Sequence, residues 1–219
     1  MDKIESHAAE TRDNQPNKKA KARQRGRPIG DREAKRKALL RAGIKVIADL
    51  GYAGASLRKV AKEAGHTTGA ITYYFEDKQA MVRAVIEHMF DEFDEMLESG
   101  DDVGDMRRRY KRWIELNSDS DVWLASFQLL ARARHEPAFA AIYQQRYRRY
   151  RDRLAEIIGK QQAAGVTRRD IPADMLADHL SSIGDGWMMM LPIEPERFAP
   201  KRVEMLIDSI TSLLAPSPR

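Results

Sequence analysis

The chain has 219 residues, 42% of them hydrophobic, and 38 Lys and Arg against 33 Asp and Glu, a formal net charge of +5. That length and apolar content suit a folded core and exclude a disordered chain, while the excess of cations suits a polyanionic partner without requiring one. The lack of cysteine excludes a disulfide framework, a thiolate nucleophile and a cysteine zinc site, and no apolar run nears the roughly 18 residues of a membrane span, so a cytoplasmic protein without signal peptide or anchor is expected.

Residues 1–30 are polar and without helical periodicity, and are expected to form a flexible basic arm. Lys18, Lys19, Lys21, Arg23, Arg25 and Arg27 crowd together with no acid between them, and Arg25-Gly26-Arg27-Pro28 equals the core of an AT-hook. A bulk-free extended backbone can lie in a narrow minor groove, where concentrated negative potential attracts arginine. The alternative is a solubilising tail.

Leu39, Ala42, Gly43, Val46, Ile47 and Leu50 form one stripe of a helix over residues 31–50, stopped at Gly51-Tyr52. Ser56 then caps a second helix with Leu57, Val60, Ala61 and Ala64 on one face, ending at Gly65. Thr67 caps a third over residues 68–74, with Ile71 and Phe75 inward and Thr68, Gly69, Thr72 and Tyr73 outward. Two short helices hinged at a glycine are a helix-turn-helix, whose second helix enters the DNA major groove. An ordinary helical hairpin in a core is the alternative.

Residues 39–85 resemble the N-terminal domain of tetracycline-repressor-like (TetR) regulators. The match runs through Gly51-Tyr52, Ser56, Val60, Ala61, Ala64-Gly65, Gly69, Ile71, Tyr74-Phe75, Lys78 and Met81. It departs at His66, where the family has a small apolar residue, and at Thr72, where it often has tyrosine. The expected DNA-binding set joins Arg25 and Arg27 of the arm to Ser56, Thr67, Thr68, Gly69, Thr72, Tyr73, Tyr74 and Lys78, and the resemblance implies that Lys78 grips the operator backbone.

Asp77 caps a linker helix over residues 78–98 with a long apolar stripe from Met81 to Leu97. Its acids Asp91, Glu92, Asp94 and Glu95 follow His88 at a spacing that could hold a divalent metal, but a solvated acidic face is the reading adopted; neither metal nor cofactor is expected. Residues 98–105, rich in Gly and Asp, mark a boundary. Helices follow over 106–116, 121–134 and 138–164, the last with arginines expected to be solvated and salt-bridged. A helix over 173–191 carries Gly184 and Gly186, expected where another helix comes close, and a last stripe follows Pro200. These two helices hold more apolar side chain than one chain covers, so a partner subunit is expected to cover them.

The C-terminal half resembles the TetR subgroup containing the choline-responsive repressor of betaine synthesis, though its ligand is not transferred. Trp113, Trp123, Phe127, Tyr143, His179, Trp187 and Met188 are candidates for an effector pocket, with plain core packing as the alternative for each. If Asp185 faced those rings, a cationic ligand would become an option. No nucleophile elbow, phosphate loop or metal-spaced histidine pair announces an enzyme. The expected protein is therefore all-α: the arm (1–30), a three-helix DNA-binding domain (31–78), and a linker helix with a ligand-binding and dimerisation bundle (79–219). The expected function is that of a homodimeric, sequence-specific repressor released from a palindromic operator by a small molecule; a ligand-independent architectural DNA-binding protein is the alternative.

Overall fold

The structure, a computed structural model, describes residues 29–98, 106–118 and 120–216. Arg25, Arg27 and the boundary at 99–105 lie outside the described residues. Among the described residues there are nine α-helices and no strand: α1 (Ile29–Gly54), α2 (Leu57–Glu63), α3 (Thr68–Thr72), α4 (Lys78–Glu98), α5 (Met106–Asn117), α6 (Ser120–Ala133), α7 (Pro137–Ala163), α8 (Ala173–Met190) and α9 (Pro200–Leu214). A 3-10 turn, Pro195–Phe198, joins the last two.

The sequence punctuation acts locally as its chemistry requires. Gly51 breaks the end of α1 with a left-handed φ of 72°, a conformation that costs a Cβ-bearing residue strain. Pro137 and Pro200 open α7 and α9 in the first turn, where a missing N–H leaves no helical bond unmade. Asp77 caps α4 by accepting a 2.7 Å bond from the Ala80 amide.

Two apolar clusters form. One joins Leu39 and Ile47 of α1, Val60 of α2, Ile71 of α3, the first half of α4, Leu129 of α6 and Phe139 of α7. The other joins Leu97, Trp113 of α5, Ile158 of α7, Leu180 of α8 and Ile207 of α9. Phe93 of α4 packs against both clusters, so the linker helix is a strut shared by the two.

The interface between α4 and α7 revises the expectation of a solvated acidic face. Arg146 of α7 bridges Asp91 at 2.6 Å and Asp94 at 3.0 Å, and Arg149 reaches Asp94 and Glu98 at 3.5 and 3.6 Å. The Asp94 side chain is only 14% exposed. Arg146 and Asp94 are largely withdrawn from water, where an unpaired charge is costly, while Asp91, Glu98 and Arg149 stay exposed around them. His88 is itself buried, and no group of three or more His, Cys, Asp and Glu that could hold a metal ion occurs among the described residues. No helix there is long and apolar enough to cross a membrane.

Candidate nucleic-acid interface and effector pocket

The α2–α3 unit is built by reciprocal caps. The Ser56 hydroxyl accepts from the Lys59 amide at 3.3 Å, and the Thr67 hydroxyl from the Ala70 amide at 3.3 Å. Gly65 turns the chain between them at φ 68°, and the His66 amide donates back to Ala61 at 2.7 Å. Ile71, fully buried, and Phe75 anchor α3 to the first cluster. With that face fixed, Thr67, Thr68, Gly69, Thr72 and Tyr73 are exposed, Tyr73 to 66%.

The third helix is shorter than the sequence predicts. It ends at Thr72, and Tyr73 and Tyr74 continue as a turn in which the Tyr74 and Phe75 amides both donate to Ile71. The two tyrosine rings meet edge to face at 5.2 Å, with Tyr74 half-buried behind exposed Tyr73. The Thr72 hydroxyl donates to the Gly69 carbonyl at 3.1 Å, which ties the side chain to its own helix.

Lys78 is half-buried instead of free in solvent. Its ammonium donates to the Ala53 carbonyl at 3.2 Å and sits 4.3 Å from the centre of the Tyr52 ring, while the Arg132 guanidinium of α6 lies over the same ring at 5.0 Å. Lys59 donates to the neighbouring Gly54 carbonyl at 2.8 Å. Burial pushes the Lys78 ammonium below its usual range, and repulsion from Arg132 and Lys59 adds to this. An approaching phosphate would relieve that crowding. Lys59 and Arg132 escaped sequence reasoning, since Arg132 lies more than fifty residues from Lys78 and no local pattern links them.

The residues nominated for an effector pocket do not converge. Trp113 is buried in the second cluster, where a Cβ on Gly184 would stand 3.5 Å from it in ordinary contact; the corresponding space at Gly186 is open. Trp187 and Met188 are half-buried in the same cluster, Trp187 edge-on to Tyr110 at 6.0 Å. Tyr143 belongs to the first cluster, 5.7 Å from Phe90. Trp123 and Phe127 stack on α6 at 5.2 Å and belong to neither cluster. His179 is exposed, which corrects its placement in a pocket: its position on α8 falls opposite the stripe of Leu176, Ala177 and Leu180.

Two features adjoin the nominated residues. A cavity of about 20 Å³ is lined by Met96, Leu97, Met106, Arg109, Tyr110, Trp113, Tyr150 and Leu154. The Trp123 indole N–H and the Tyr143 hydroxyl are buried without a hydrogen-bond partner among the described residues, and such groups are uncommon enough to require an explanation. Asp185 lines no part of the cavity and accepts instead from the Tyr147 hydroxyl at 3.3 Å.

Comparison with known proteins agrees with this geometry. The sequence profile for bacterial regulatory proteins of the tetR family matches residues 39–85, and that for the C-terminal part of BetI-type transcriptional repressors matches residues 107–215. The chain is 25% identical over 158 residues to the HTH-type transcriptional repressor AcnR of Corynebacterium diphtheriae, covering 72% of this chain and 80% of that one. It is 25% identical over 183 residues to the HTH-type transcriptional regulator BetI of Paraburkholderia phytofirmans, covering 79% and 89%. Among solved structures, a transcriptional regulator from Saccharomonospora viridis in complex with choline superposes with a TM-score of 0.63 at 23% identity, over 82% of this chain and 96% of that one, which bears on the fold alone. With a capped helix-turn-helix on the α4 strut and a BetI-type bundle behind it, the chain belongs to the TetR family of DNA-binding transcriptional regulators.

Proposed function

We propose that two copies of the chain form a repressor that holds a palindromic operator and releases it on binding a small molecule. The observation that carries this reading is the exposure of Thr68, Thr72 and Tyr73 on a helix whose opposite face is locked by Ile71. Residues 31–78 act as the DNA-binding unit, with Thr68, Thr72 and Tyr73 at base edges or sugars, Ser56, Thr67, Gly69 and Tyr74 close against the backbone, and Lys78 on a phosphate. Arg25 and Arg27 enter the flanking minor groove. The partner subunit covers α8 and α9, where Met175, Met189, Met205 and Leu213 stand exposed.

The effector enters the bundle of residues 79–219. The cavity beneath α5 is far smaller than the roughly 300 Å³ of an ordinary ligand site, so a molecule entering there must push its walls apart. Met96 and Leu97 among those walls belong to α4, so widening the cavity tilts the strut and changes the spacing of the two α3 helices. The ligand then acts through its preference for one spacing. The choline held by the Saccharomonospora viridis neighbour is not carried over, because the wall here includes Arg109 and no carboxylate.

Footprinting on genomic DNA tests the reading. A short inverted repeat protected at physiological salt supports it; uniform, strongly salt-sensitive coverage supports an architectural DNA-binding protein instead. In a metabolite screen by tryptophan fluorescence, loss of the response in Trp113→Phe assigns the ligand to the cavity. Loss in Trp123→Phe assigns it to the unmatched donors.

A further inference from the structure

A groove of about 510 Å³ separates the first turns of α1 from α3, lined by Arg32, Lys35, Leu39, His66, Ala70, Tyr73 and Tyr74. Its charged walls are two cations, and it holds no carboxylate. Asp31 stands at the rim, 3.9 Å from the Lys35 ammonium, a loose contact between partly exposed groups. The Arg32 guanidinium lies over the Tyr73 ring, 5.3 Å from its centre. Tyr73 thus serves two surfaces: it lines the groove, and it is exposed next to Thr72.

The position of the groove matters more than its size. An α3 in the major groove and an arm in the adjacent minor groove lie on opposite sides of one sugar–phosphate strand, which the chain must cross. The segment making that crossing is the start of α1, since Arg27 stands two residues before Ile29, the first residue of the helix. Arg32 and Lys35, one turn apart on α1, share a face there. A phosphodiester oxygen between them would meet two cations, and a guanidinium already resting over an aromatic ring loses little further freedom when it grips an anion.

We propose that this groove seats a backbone phosphate of the operator strand between the major and minor grooves, with Arg32 and Lys35 as its cations and Tyr73 as its wall. The inference rests on α3 being the major-groove element. It assigns to α1 a role that the helix-turn-helix itself does not supply.

The test uses the full chain and the operator recovered by footprinting. Binding is measured from low to high salt for wild type, Arg32→Ala, Arg32→Lys, Lys35→Ala and the double alanine variant, with helix content checked by circular dichroism. Loss of one phosphate contact per subunit lowers the slope of log K against log salt by about 2 for a dimer, so the variant carrying both Arg32→Ala and Lys35→Ala should lose that much, and each single alanine variant a part of it, while keeping the operator's base preferences. Arg32→Lys keeps the charge and should keep the slope. Replacing single operator phosphates by neutral methylphosphonates should reveal one position per half-site that weakens wild type at least tenfold, weakens Arg32→Ala less, and leaves the variant lacking both cations unchanged. A slope unaltered in both alanine variants overturns the seat. So does a change in base preference at constant slope, which would make Arg32 only a support for Tyr73. Absence of any operator-specific binding by wild type would instead sink the parent reading.

Discussion

The Lys78 ammonium and the Tyr52 ring, 4.3 Å apart, join the start of the linker helix to the broken end of α1. Tyr52 also meets Phe139 of α7 edge to face at 5.7 Å and lies beneath Arg132 of α6. The cation proposed to hold the operator therefore rests on a ring that α6 and α7 also touch. Lys78→Ala should weaken binding to all sequences about equally and lower the salt slope by about 2 per dimer. Thr72→Ala or Tyr73→Phe should instead shift sequence preference, by about 1–3 kcal/mol at the contacted base pair. Titrations against operator and scrambled DNA distinguish the two, and identical profiles for both kinds of variant would break the assignment.

Two glycines should respond in opposite ways to alanine. At Gly43 a Cβ would stand 2.9 Å from Val85 Cγ2, so Gly43→Ala forces α1 from α4. Overpacking of this kind costs about 1–3 kcal/mol against about 1 kcal/mol gained in helix propensity. A lowered Tm, restored in part by adding Val85→Ala, is the expected result. At Gly69 a Cβ meets nothing within 4 Å, so Gly69→Ala should leave Tm unchanged or raised. It should nevertheless weaken DNA binding, because the missing Cβ is where the backbone approaches the duplex. Undiminished binding would remove Gly69 from the interface.

Stability should depend on pH through His88. It is 8% exposed, and burial pushes its pKa below the usual value of 6.5. Glu92 and Asp91 on its own helix pull the other way, and Arg41 and Lys37 of α1 add to the depression. The folded state thus prefers the neutral ring, so the unfolded chain binds the proton more readily. His88 stabilises the fold fully above about pH 6.5, and that contribution drains away as pH falls from there through the lowered value. Denaturant midpoints between pH 5 and 8 should decline on the acid side for wild type and flatten for His88→Gln. Parallel curves would assign the acid sensitivity to other groups.

The exposed apolar side chains of α8 and α9 predict the assembly. Met205 is 59% exposed and Met189 50%, so Met189→Glu and Met205→Glu should leave the subunit fold intact and lower the mass seen in sedimentation to that of one chain. Loss of the second half-site contact should then weaken operator binding by on the order of 10²–10⁴. A dimer that survives both changes would move the interface elsewhere.

Sequence alone decided whatever depends on neighbours within a turn or two of helix. The caps at Ser56, Thr67 and Asp77, the stop at Gly65 and the inward face of Val60, Ile71 and Met81 were legible because each rests on a bond or contact spanning three or four residues. Those local signals, joined by the family resemblance, delivered the helix-turn-helix and its exposed residues. Only the tertiary structure could decide which long side chains meet. The docking of Lys78 on Tyr52, the pairing of Asp94 with Arg146, the spread of the nominated aromatic residues over separate clusters and the groove shared by Arg32 and Tyr73 all join separate elements. Helical periodicity tells which face is apolar. The rotation and offset with which two such faces interlock then determine which charges and rings at their edges come into contact, and that geometry is a property of the packed whole.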